Sequence, residues 1–384
     1  MEKTAEVVII GGGVIGVSIA YHLAMKKAGR IVLLEKGQLG EGSTSRCVGG
    51  IRTQFSTEIN IRFSLESLKR FERFEEEFGV NPEFKRIGYL FLATTESETE
   101  VFKENVSLQK KFNIPVELLS PDEIRVRWPY LRMDDIQGGT FCPWDGYAGP
   151  SEVLSGFANG ARRAGVKIYE GAEVIGISLE KGKVKSVRVG EEVISASTVV
   201  NAGGPYAASI AEMVGIKIPV KPLRRQIFVT APFHLTNQTI PLTIDFYRGW
   251  YFRQEVDGLL ISGPLDPEPS FNLNIDYEAM ADASENATYR VPILEKARIA
   301  RGWAGLYEIS PDCHAILGKI PEVGGFILAN GFSGHGFQHS PAVGQVIAEL
   351  VLDGKANTID ISSLSIERFK KGDLILEPMT AFKE

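Results

Sequence analysis

The first 35 residues constrain the fold more than any other part of the sequence, because they read as strand, glycine turn, helix and strand. Residues 6–10 are a β-branched run typical of a strand that is buried on both faces. The turn GGGVIG follows at 11–16, then a helical pattern over 14–28 and a second buried strand at 30–35. This βαβ unit predicts a right-handed crossover and a parallel sheet.

The glycines of this turn fit the pattern G-x-G-x-x-G of dinucleotide-binding folds. Gly11 allows the tight turn, Gly13 lets the backbone approach a pyrophosphate, and Gly16 lets the helix pack on the sheet. N–H groups at the helix N-terminus then face the phosphates. Glu35 ends the second strand, where its carboxylate can accept hydrogen bonds from an adenosine ribose and would repel a 2′-phosphate. These residues predict a bound dinucleotide and disfavour NADP.

Composition excludes several other classes of protein. The chain has 384 residues, enough for two or three domains, and its 42 basic and 48 acidic residues leave a formal charge of −6. Without a basic region of domain size, nucleic acid is not an expected partner. The three cysteines are far apart, so we expect neither a disulfide framework nor a cysteine metal site, and we assign no metal ligands. The sequence has no run of about 18 apolar residues and no signal peptide, so we expect a cytoplasmic protein without a transmembrane segment.

Strand patterns of two kinds alternate along the chain. Buried runs typical of a parallel sheet recur at 166–169, 197–201 and 325–329, whereas 220–263 alternates like an antiparallel sheet. We therefore predict an α/β fold, in which a discontinuous Rossmann-like domain with a parallel sheet binds the nucleotide and an antiparallel-sheet substrate domain is inserted into it. The predicted boundaries are 1–83, 148–222 and 312–384 for the first domain, and 84–147 and 223–311 for the second.

Local signals predict four helices. A long charged amphipathic helix is expected over 58–78, and another helix over about 341–352. Ser97 and Glu100 fit a capping box at the start of a helix, and SPDE at 120–123 fits a second one.

A second glycine-rich turn, GFSGHGF at 331–337, follows the strand at 325–329. An NAD enzyme needs little from this far end of the chain, whereas FAD is extended and is often held by a second set of loops. The turn can direct bare N–H groups and a helix N-terminus at a flavin or a pyrophosphate. The alternative interpretation is an ordinary βα turn, so these residues alone leave FAD and NAD open.

Three segments resemble the glycine oxidase, D-amino acid oxidase and sarcosine oxidase family of flavoproteins. They are VVIIGGGVIGVSIAYHLA with VLLEKG, VVNAGGPYAASIAEMVG, and SPDCHAILG with GFSGHGFQHSPAVG, and they span almost the whole chain. Within the family, the chain is most similar to the sarcosine oxidase branch and to the catalytic β subunits of sarcosine oxidase and dye-linked L-proline dehydrogenase. The resemblance implies FAD and oxidation of an amino acid C–N bond to an imine by hydride transfer to the flavin. It also implies a secondary amine such as L-proline or sarcosine as the substrate.

The resemblance further implies which residues bind the flavin. The loop at 43–46 would cover the pyrophosphate and the ring, 172–174 would contact adenine, and 202–204 would form a second phosphate-side turn. With the two glycine turns included, the residues predicted to bind FAD are Gly11, Gly13, Val14, Ile15, Gly16, Glu35, Lys36, Ser43, Thr44, Ser45, Arg46, Gly49, Gly50, Val174, Ala202, Gly203, Gly305, Gly331, Ser333, Gly334, His335, Gly336, Phe337 and Gln338.

Arg52, His335 and Tyr251 are the candidate catalytic residues. Arg52 aligns with an arginine that sarcosine oxidases place on the substrate carboxylate, a group that a guanidinium suits through parallel N–H bonds and a permanent charge. The alternative is a solvated loop arginine. His335 lies in the flavin-side turn but is not assigned as a base, because a dry pocket can lower the pKa of the amine instead. Tyr251 would line the substrate pocket or pack between strands, and Cys47, near the flavin, is expected to be inert.

Two departures from the family pattern bear on the flavin. Monomeric sarcosine oxidases attach FAD to a cysteine where this chain has Gly305, so we predict non-covalent FAD. Sarcosine oxidases carry a lysine above the flavin where this chain has Gln338, which offers no full positive charge to reduced oxygen. We therefore predict an electron acceptor other than oxygen. An oxidase that forms hydrogen peroxide and a flavin-binding electron-relay subunit stay open as alternatives, and kinship with β subunits makes a partner subunit possible.

Overall fold

The structure, a computed structural model, describes residues 1–379. Its strands are β1 (Thr4–Ile10), β2 (Ile31–Leu34), β3 (Gly50–Ile51), β4 (Tyr89–Ala93), β5 (Glu117–Leu119), β6 (Gly138–Cys142), β7 (Gly146–Tyr147), β8 (Lys167–Tyr169), β9 (Val174–Glu180), β10 (Lys183–Val189), β11 (Glu192–Asn201), β12 (Lys221–Thr230), β13 (Leu242–Asp245), β14 (Trp250–Gln254), β15 (Leu259–Leu265), β16 (Ile299–Ile309), β17 (Ile316–Ile320) and β18 (Val323–Asn330). Its α-helices are α1 (Val14–Met25), α2 (Ser43–Arg46), α3 (Glu58–Glu72), α4 (Phe74–Phe78), α5 (Glu96–Lys111), α6 (Pro121–Arg127), α7 (Pro150–Arg163), α8 (Ala207–Glu212), α9 (Tyr277–Arg290), α10 (Gly336–Leu352) and α11 (Glu367–Lys371).

The first sheet has a parallel centre. β1 pairs in parallel with β2 on one side and with β11 on the other, β8 pairs with β2, and β18 pairs with β11. β9, β10 and β17 extend this sheet through antiparallel pairs. The predicted βαβ unit and parallel sheet are therefore confirmed, with α1 as the crossover between β1 and β2.

Both faces of the first sheet are buried. Val7 and Ile9 belong to a core shared with α1, α7 and α10, whereas Val8 and Ile10 belong to a core shared with α8, β9 and β10. This double burial explains the continuous apolar run at the start of the chain. It also leaves the carboxyl ends of the parallel strands as the edge where a ligand can bind.

The second sheet combines strands from two separate stretches of the chain. Its order is β16-β12-β15-β14-β13-β4-β6-β5. Its neighbouring strands are antiparallel except β13 and β4, which pair in parallel. The predicted antiparallel sheet is thus confirmed, while the domain boundaries stay a prediction. Within residues 1–379, no helix is long and apolar enough to cross a lipid bilayer.

The helix expected over 58–78 is two helices, α3 and α4. Arg73 separates them because its backbone leaves the helical region, with φ −108° and ψ 9°. The break turns Phe74 and Phe78 onto Phe157 of α7, at distances of 5.3 and 4.9 Å between ring centroids. Aromatic packing against a third helix therefore overrides the continuous amphipathic pattern.

The capping box expected at Ser97 and Glu100 does not form, whereas the one at 120–123 does. α5 begins at Glu96, and the Thr95 hydroxyl accepts the Glu98 N–H at 3.2 Å. The cap therefore lies two residues earlier than the sequence pattern indicated.

α10 begins at Gly336, earlier than the expected start at Pro341. Pro341 lies inside the helix, where it has no N–H to donate to the Phe337 carbonyl. The Ser340 hydroxyl donates to that carbonyl at 2.8 Å instead. This substitute hydrogen bond lets the helix extend back to the glycine turn, so that its N-terminus reaches the ligand edge of the sheet.

Candidate cofactor and substrate cavity

A cavity of about 850 Å³ lies between the carboxyl edge of the first sheet and one face of the second. The three candidate catalytic residues line it, and so does every residue predicted to bind FAD except Gly16, Ser45 and Gly331. Ser45 lines a smaller neighbouring cavity of about 250 Å³, and Gly331 packs behind the turn against Ile316 and Ser310. The structure thus brings nearly all the predicted residues together, and their roles toward FAD stay a prediction.

The N-terminal glycine turn leaves no room for a side chain at Gly11 or Gly16. Gly11 has a φ of 114°, and a Cβ there would lie 2.2 Å from the Ala202 carbonyl oxygen. A Cβ on Gly16 would lie 1.9 Å from the Gly11 carbonyl oxygen, so Gly16 supports the turn from behind. Such close approaches are what the glycines of a dinucleotide-binding turn provide.

The N-terminus of α1 opens into the cavity beside a half-buried cation, Arg46. Gly13, the N-cap, has no side chain to cap the helix, and the Thr44 hydroxyl accepts the Val14 N–H at 3.0 Å. Arg46 Nη1 donates to the Ala304 carbonyl at 3.1 Å, and its buried Nε has no partner within residues 1–379. A helix N-terminus next to an unsatisfied guanidinium suits a pyrophosphate. The residues present therefore fit FAD at this end of the cavity.

Glu35 holds part of the same turn. Its Oε2 accepts the Gly12 N–H at 2.6 Å, and its Oε1 accepts the Gly37 N–H at 2.8 Å. The carboxylate also lines the cavity, and each oxygen keeps a lone pair for a ribose hydroxyl. Lys36 Nζ lies 3.1 Å from the centre of the Tyr206 ring, so the neighbouring lysine packs on an aromatic side chain.

The second glycine turn is held by Glu308, contrary to the expectation of bare N–H groups. The Glu308 carboxyl accepts the N–H of Gly331 at 3.0 Å and that of Phe332, and its backbone carbonyl accepts the Ser333 N–H at 3.0 Å. The N–H groups left for the cavity are therefore those of Gly334 and of the α10 N-terminus, since the His335 N–H donates to the Phe332 carbonyl at 2.8 Å. Burial raises the pKa of Glu308 to about 8, which keeps the carboxyl protonated at neutral pH.

The geometry around the cavity favours a non-covalent cofactor. Gly305 lines the cavity, where a Cβ would lie 3.1 Å from the Arg46 Cβ, and it has no nucleophile. Cys47 also lines the cavity, but burial raises the pKa of its thiol to about 12. A thiol that stays protonated is unreactive, in agreement with the expectation for Cys47.

Arg52 is a buried cation whose hydrogen-bond partners among residues 1–379 are all neutral, although the carboxylates of Glu377 and Asp145 also attract it electrostatically. Its Nη2 donates to the Met379 carbonyl at 3.4 Å and lies 3.2 Å from His335 Nε2, while Nη1 donates to the Gln54 carbonyl. The guanidinium carbon lies 3.8 Å from the centre of the Phe55 ring. Burial lowers the pKa of Arg52, but a guanidinium remains protonated. Arg52 thus presents a positive charge to the cavity that it lines.

Asp145 and Gln338 fix the loop that carries Arg52. Asp145 Oδ1 accepts the Thr53 N–H at 2.7 Å and the Thr53 hydroxyl at 2.6 Å, and Oδ2 accepts Gln54 Nε2 at 3.0 Å. Gln338 Oε1 accepts the Arg52 N–H at 2.8 Å. Burial raises the pKa of Asp145 to about 6, although the hydrogen bonds from Thr53 and Gln54 oppose this shift. The Asp145 carboxylate thus binds Thr53 and Gln54 of the loop, and the guanidinium of Arg52 hydrogen-bonds to other groups.

His335 and Tyr251 lie at the same end of the cavity. Burial and the charge of Arg52 hold the pKa of His335 well below its usual value, so the ring is neutral and a weak proton acceptor. This agrees with the expectation that His335 is not the base. Tyr251 hydrogen-bonds to Tyr307, and burial raises the pKa of Tyr251 well above its usual value. Both residues therefore enter the cavity in their neutral forms.

Several lining residues were not identified from the sequence, namely Tyr89, Phe91, Arg225, Tyr307 and Met379. Strand alternation provides a signal for Arg225, because Arg225 and Ile227 occupy the same face of β12 and an arginine on the inner face of an apolar strand is unusual. Met379 has no local signal. Its place depends on the return of the chain to α3, where the Glu377 carboxylate accepts the Ser56 N–H at 2.8 Å.

Known proteins are similar to this chain over nearly its whole length. The profile of the FAD dependent oxidoreductase family matches residues 6–350, which include both glycine turns. The FAD-dependent oxidoreductase domain-containing protein 1 of Xenopus laevis is 32% identical over 98% of this chain and 84% of its own length. The mitochondrial dimethylglycine dehydrogenase of Rattus norvegicus is 32% identical over 96% of this chain but only 45% of its own length. The chain thus spans about half the length of that relative.

Solved structures show the same fold. The L-proline dehydrogenase from P. horikoshii superposes with a TM-score of 0.91 and 36% identity, covering 98% of this chain and 100% of that one. The glycine oxidase from Geobacillus kaustophilus superposes with a TM-score of 0.84 and 26% identity, covering 95% and 99%. These findings confirm the resemblance inferred from the three sequence segments.

Proposed function

Because the chain belongs to the FAD dependent oxidoreductase family, we propose that it oxidises the C–N bond of an amino acid, with a secondary amine such as L-proline or sarcosine as substrate. The observation that carries this proposal is Arg52, a buried guanidinium with neutral partners in the cavity shared by both glycine turns. A buried charge requires an anionic partner, and the carboxylate of an amino acid supplies one. The names of the L-proline and dimethylglycine dehydrogenases support an N-alkylated amino acid.

One end of the cavity would bind the cofactor, and the other end would bind the substrate. When bound, FAD supplies the hydride acceptor. The α1 N-terminus and Arg46 would hold the pyrophosphate, Glu35 would hold the ribose, and residues 334–338 would hold the flavin end. Arg52 would bind the carboxylate and so orient the C–H bond that is broken.

The substrate end favours the neutral amine that hydride transfer needs. The titratable residues that line this end are Arg52, Arg225, Tyr89, Tyr251, Tyr307, His335 and Glu308. Of these, the arginines are positive, and burial keeps Glu308 and His335 neutral at pH 7. Desolvation and nearby positive charge both lower the pKa of an ammonium group. The amine can therefore lose its proton without a dedicated base.

We also infer that electrons pass to an acceptor other than oxygen. Gln338 is buried, with its amide oxygen on the Arg52 N–H, and it adds no charge to the cavity. The test compares turnover with oxygen and turnover with an artificial dye, and we expect the dye to be faster. Rapid formation of hydrogen peroxide would contradict the inference. A Gln338→Lys variant is a poor probe, because lysine cannot accept the Arg52 N–H.

The proposed reaction is tested by mixing the FAD-loaded protein anaerobically with a panel of amino acids. We expect a secondary amine with a carboxylate to bleach the flavin absorbance. Without oxygen or another electron acceptor, the flavin that the substrate reduces stays reduced. Pyrrolidine is the matched control for L-proline, since it has the same ring amine without a carboxylate. Failure of every amino acid in the panel to reduce the flavin would overturn the proposal.

Non-covalent attachment is tested by acid precipitation. We expect the flavin to stay in the supernatant, since Gly305 has no nucleophile and Cys47 stays protonated. Flavin in the pellet would point to another attachment residue. A partner subunit and a cytoplasmic location stay predictions from the sequence.

A further inference from the structure

We propose that Arg225 forms a second anion subsite in the cavity, so that an amino acid with a second carboxylate on its nitrogen substituent or its side chain binds more tightly than a monocarboxylate such as L-proline or sarcosine. This inference rests on the proposed function, since it takes Arg52 as the site of the first carboxylate. Arg225 is 4% exposed, and it faces the cavity from the same side of β12 as Ile227.

Buried arginines in this protein pair with carboxylates unless they line the cavity. The described residues contain six of them, namely Arg52, Arg224, Arg225, Arg253, Arg290 and Arg368. The ion pairs are Arg224 with Asp266 and Asp276, Arg253 with Glu255, Arg290 with Asp135 and Asp245, and Arg368 with Asp312. Within residues 1–379, the two that remain without a carboxylate are Arg52 and Arg225, and both line the cavity.

The protein leaves the charge of Arg225 uncompensated. Its Nη2 donates to the Gly249 carbonyl at 2.7 Å and to the Ser262 hydroxyl at 3.3 Å, and both acceptors are neutral. Its Nε is buried and has no partner among the described residues. A buried charge and an unsatisfied N–H both cost free energy, which an anionic ligand would recover.

The sheet register sets the separation of the two guanidinium groups. Tyr251, Ile244 and Phe91 stand directly opposite one another on β14, β13 and β4, and all three line the cavity. The Arg225 guanidinium carbon lies 5.0 Å from the Tyr251 ring centre, and that of Arg52 lies 5.5 Å from the Phe91 ring centre. Two strand spacings, about 10 Å, separate the strands that carry the outer rings, so the two guanidinium groups lie near opposite ends of this row.

This arrangement fits a short dicarboxylate. Each of its carboxylates can contact one guanidinium, while the linker lies along the row of side chains between them. The row of Tyr251, Ile244 and Phe91 beneath the linker is largely apolar, as a short aliphatic chain requires. A dianion would also balance both charges, whereas a monocarboxylate would leave one of them unpaired.

The test measures the binding of glutarate and of its monomethyl ester to the FAD-loaded full chain by calorimetry at constant ionic strength. The two ligands have nearly the same shape and differ by one charge. Neither is an amine, so binding is measured without turnover. We expect glutarate to bind at least about tenfold more tightly, and Arg225→Gln to abolish that difference while the affinity for the ester stays the same.

Arg253→Gln is the matched control, because Arg253 is also buried with an unpartnered Nε but does not line the cavity. We expect it to preserve the tenfold difference. Equal affinity of the wild-type protein for both ligands would overturn the second subsite and leave the proposed function standing. No binding of either ligand would instead overturn the carboxylate site at Arg52. If Arg225→Gln does not fold, Arg225→Lys and the wild-type comparison still test the proposal.

Discussion

The nucleotide end and the substrate end of the cavity are built from different parts. At the nucleotide end the contacts are mostly backbone groups, as in the close approach of Gly11 to Ala202 and the open N-terminus of α1. At the substrate end they are side chains from distant segments, such as Arg52, Phe91 and Tyr251. A backbone site requires glycine at fixed spacing and so appears as a motif. A side-chain site depends on which strands become neighbours.

The largest effect is expected when a side chain is added at the nucleotide end of the cavity, which is built from backbone groups. Gly11→Val adds a side chain where a Cβ would lie 2.2 Å from the Ala202 carbonyl oxygen, at a φ of 114° that valine does not tolerate. We expect no bound FAD and a loss of about 3 kcal/mol or more in the free energy of unfolding, from denaturant titration of the purified protein.

Gly215→Asn is the control that replaces a glycine of positive φ without creating a steric clash. Gly215 has a φ of 77°, and a Cβ there meets no atom within 4 Å. Asparagine tolerates this left-handed region, so we expect normal FAD content and nearly unchanged stability. Normal FAD content in Gly11→Val would show that the nucleotide end does not depend on backbone approach.

A selective effect is expected from removing the main charge of the side-chain site. Arg52→Ala deletes the partner of the substrate carboxylate and should raise the apparent dissociation constant by about 100-fold or more. FAD content should stay normal, because the nucleotide end is built separately. An anaerobic titration followed by flavin absorbance measures both the FAD content and the dissociation constant. The dissociation constant of Arg52→Lys should lie between those of the wild-type protein and Arg52→Ala, since lysine keeps the charge without the two parallel N–H donors. An unchanged constant in Arg52→Ala would remove Arg52 from the substrate site.

This division explains how much could be predicted from the sequence. The βαβ unit and nearly all the cofactor-side residues were predicted because they lie in contiguous motifs with local physical requirements. Arg225 and Phe91 were missed, since they reach the cavity only through the register of β12 with β16 and of β4 with β13. Arg52 was predicted only through a family resemblance. The expectation of bare N–H groups at the second turn was wrong, because no local pattern indicates that the Glu308 carboxyl accepts the Gly331 N–H.

A moderate effect is expected from substitution of Asp145, which supports the loop that carries Arg52. Asp145→Asn keeps an oxygen for Thr53 but brings an amide N–H group toward Gln54 Nε2, which also donates. We expect KM for the substrate to rise about tenfold with kcat and FAD content nearly unchanged, because Asp145 positions Arg52 without facing the cavity. A fall in kcat at unchanged KM would show instead that Asp145 acts on the chemical step.

The smallest effect is expected at Glu308, where the two ends of the cavity meet. Burial raises the pKa of this carboxyl to about 8 from an ordinary value of 4.5. Between these values the folded chain keeps a proton that the unfolded chain has lost, so the free energy of unfolding falls as the pH rises. One group contributes at most about 1.4 kcal/mol per pH unit, and water in the cavity reduces this.

Glu308→Gln keeps an oxygen for the Gly331 N–H but does not titrate. The variant should therefore gain stability relative to the wild-type protein as the pH rises from 5 to 8, by less than about 1.4 kcal/mol for each pH unit, and the gain should level off above pH 8. Denaturant titrations of both proteins across this range measure the difference directly, since all other titrating groups are shared. Parallel curves would show that Glu308 ionises near its ordinary pKa. In that case the second glycine turn would carry a negative charge, and the substrate end would not be the uniformly neutral or positive environment that favours the neutral amine.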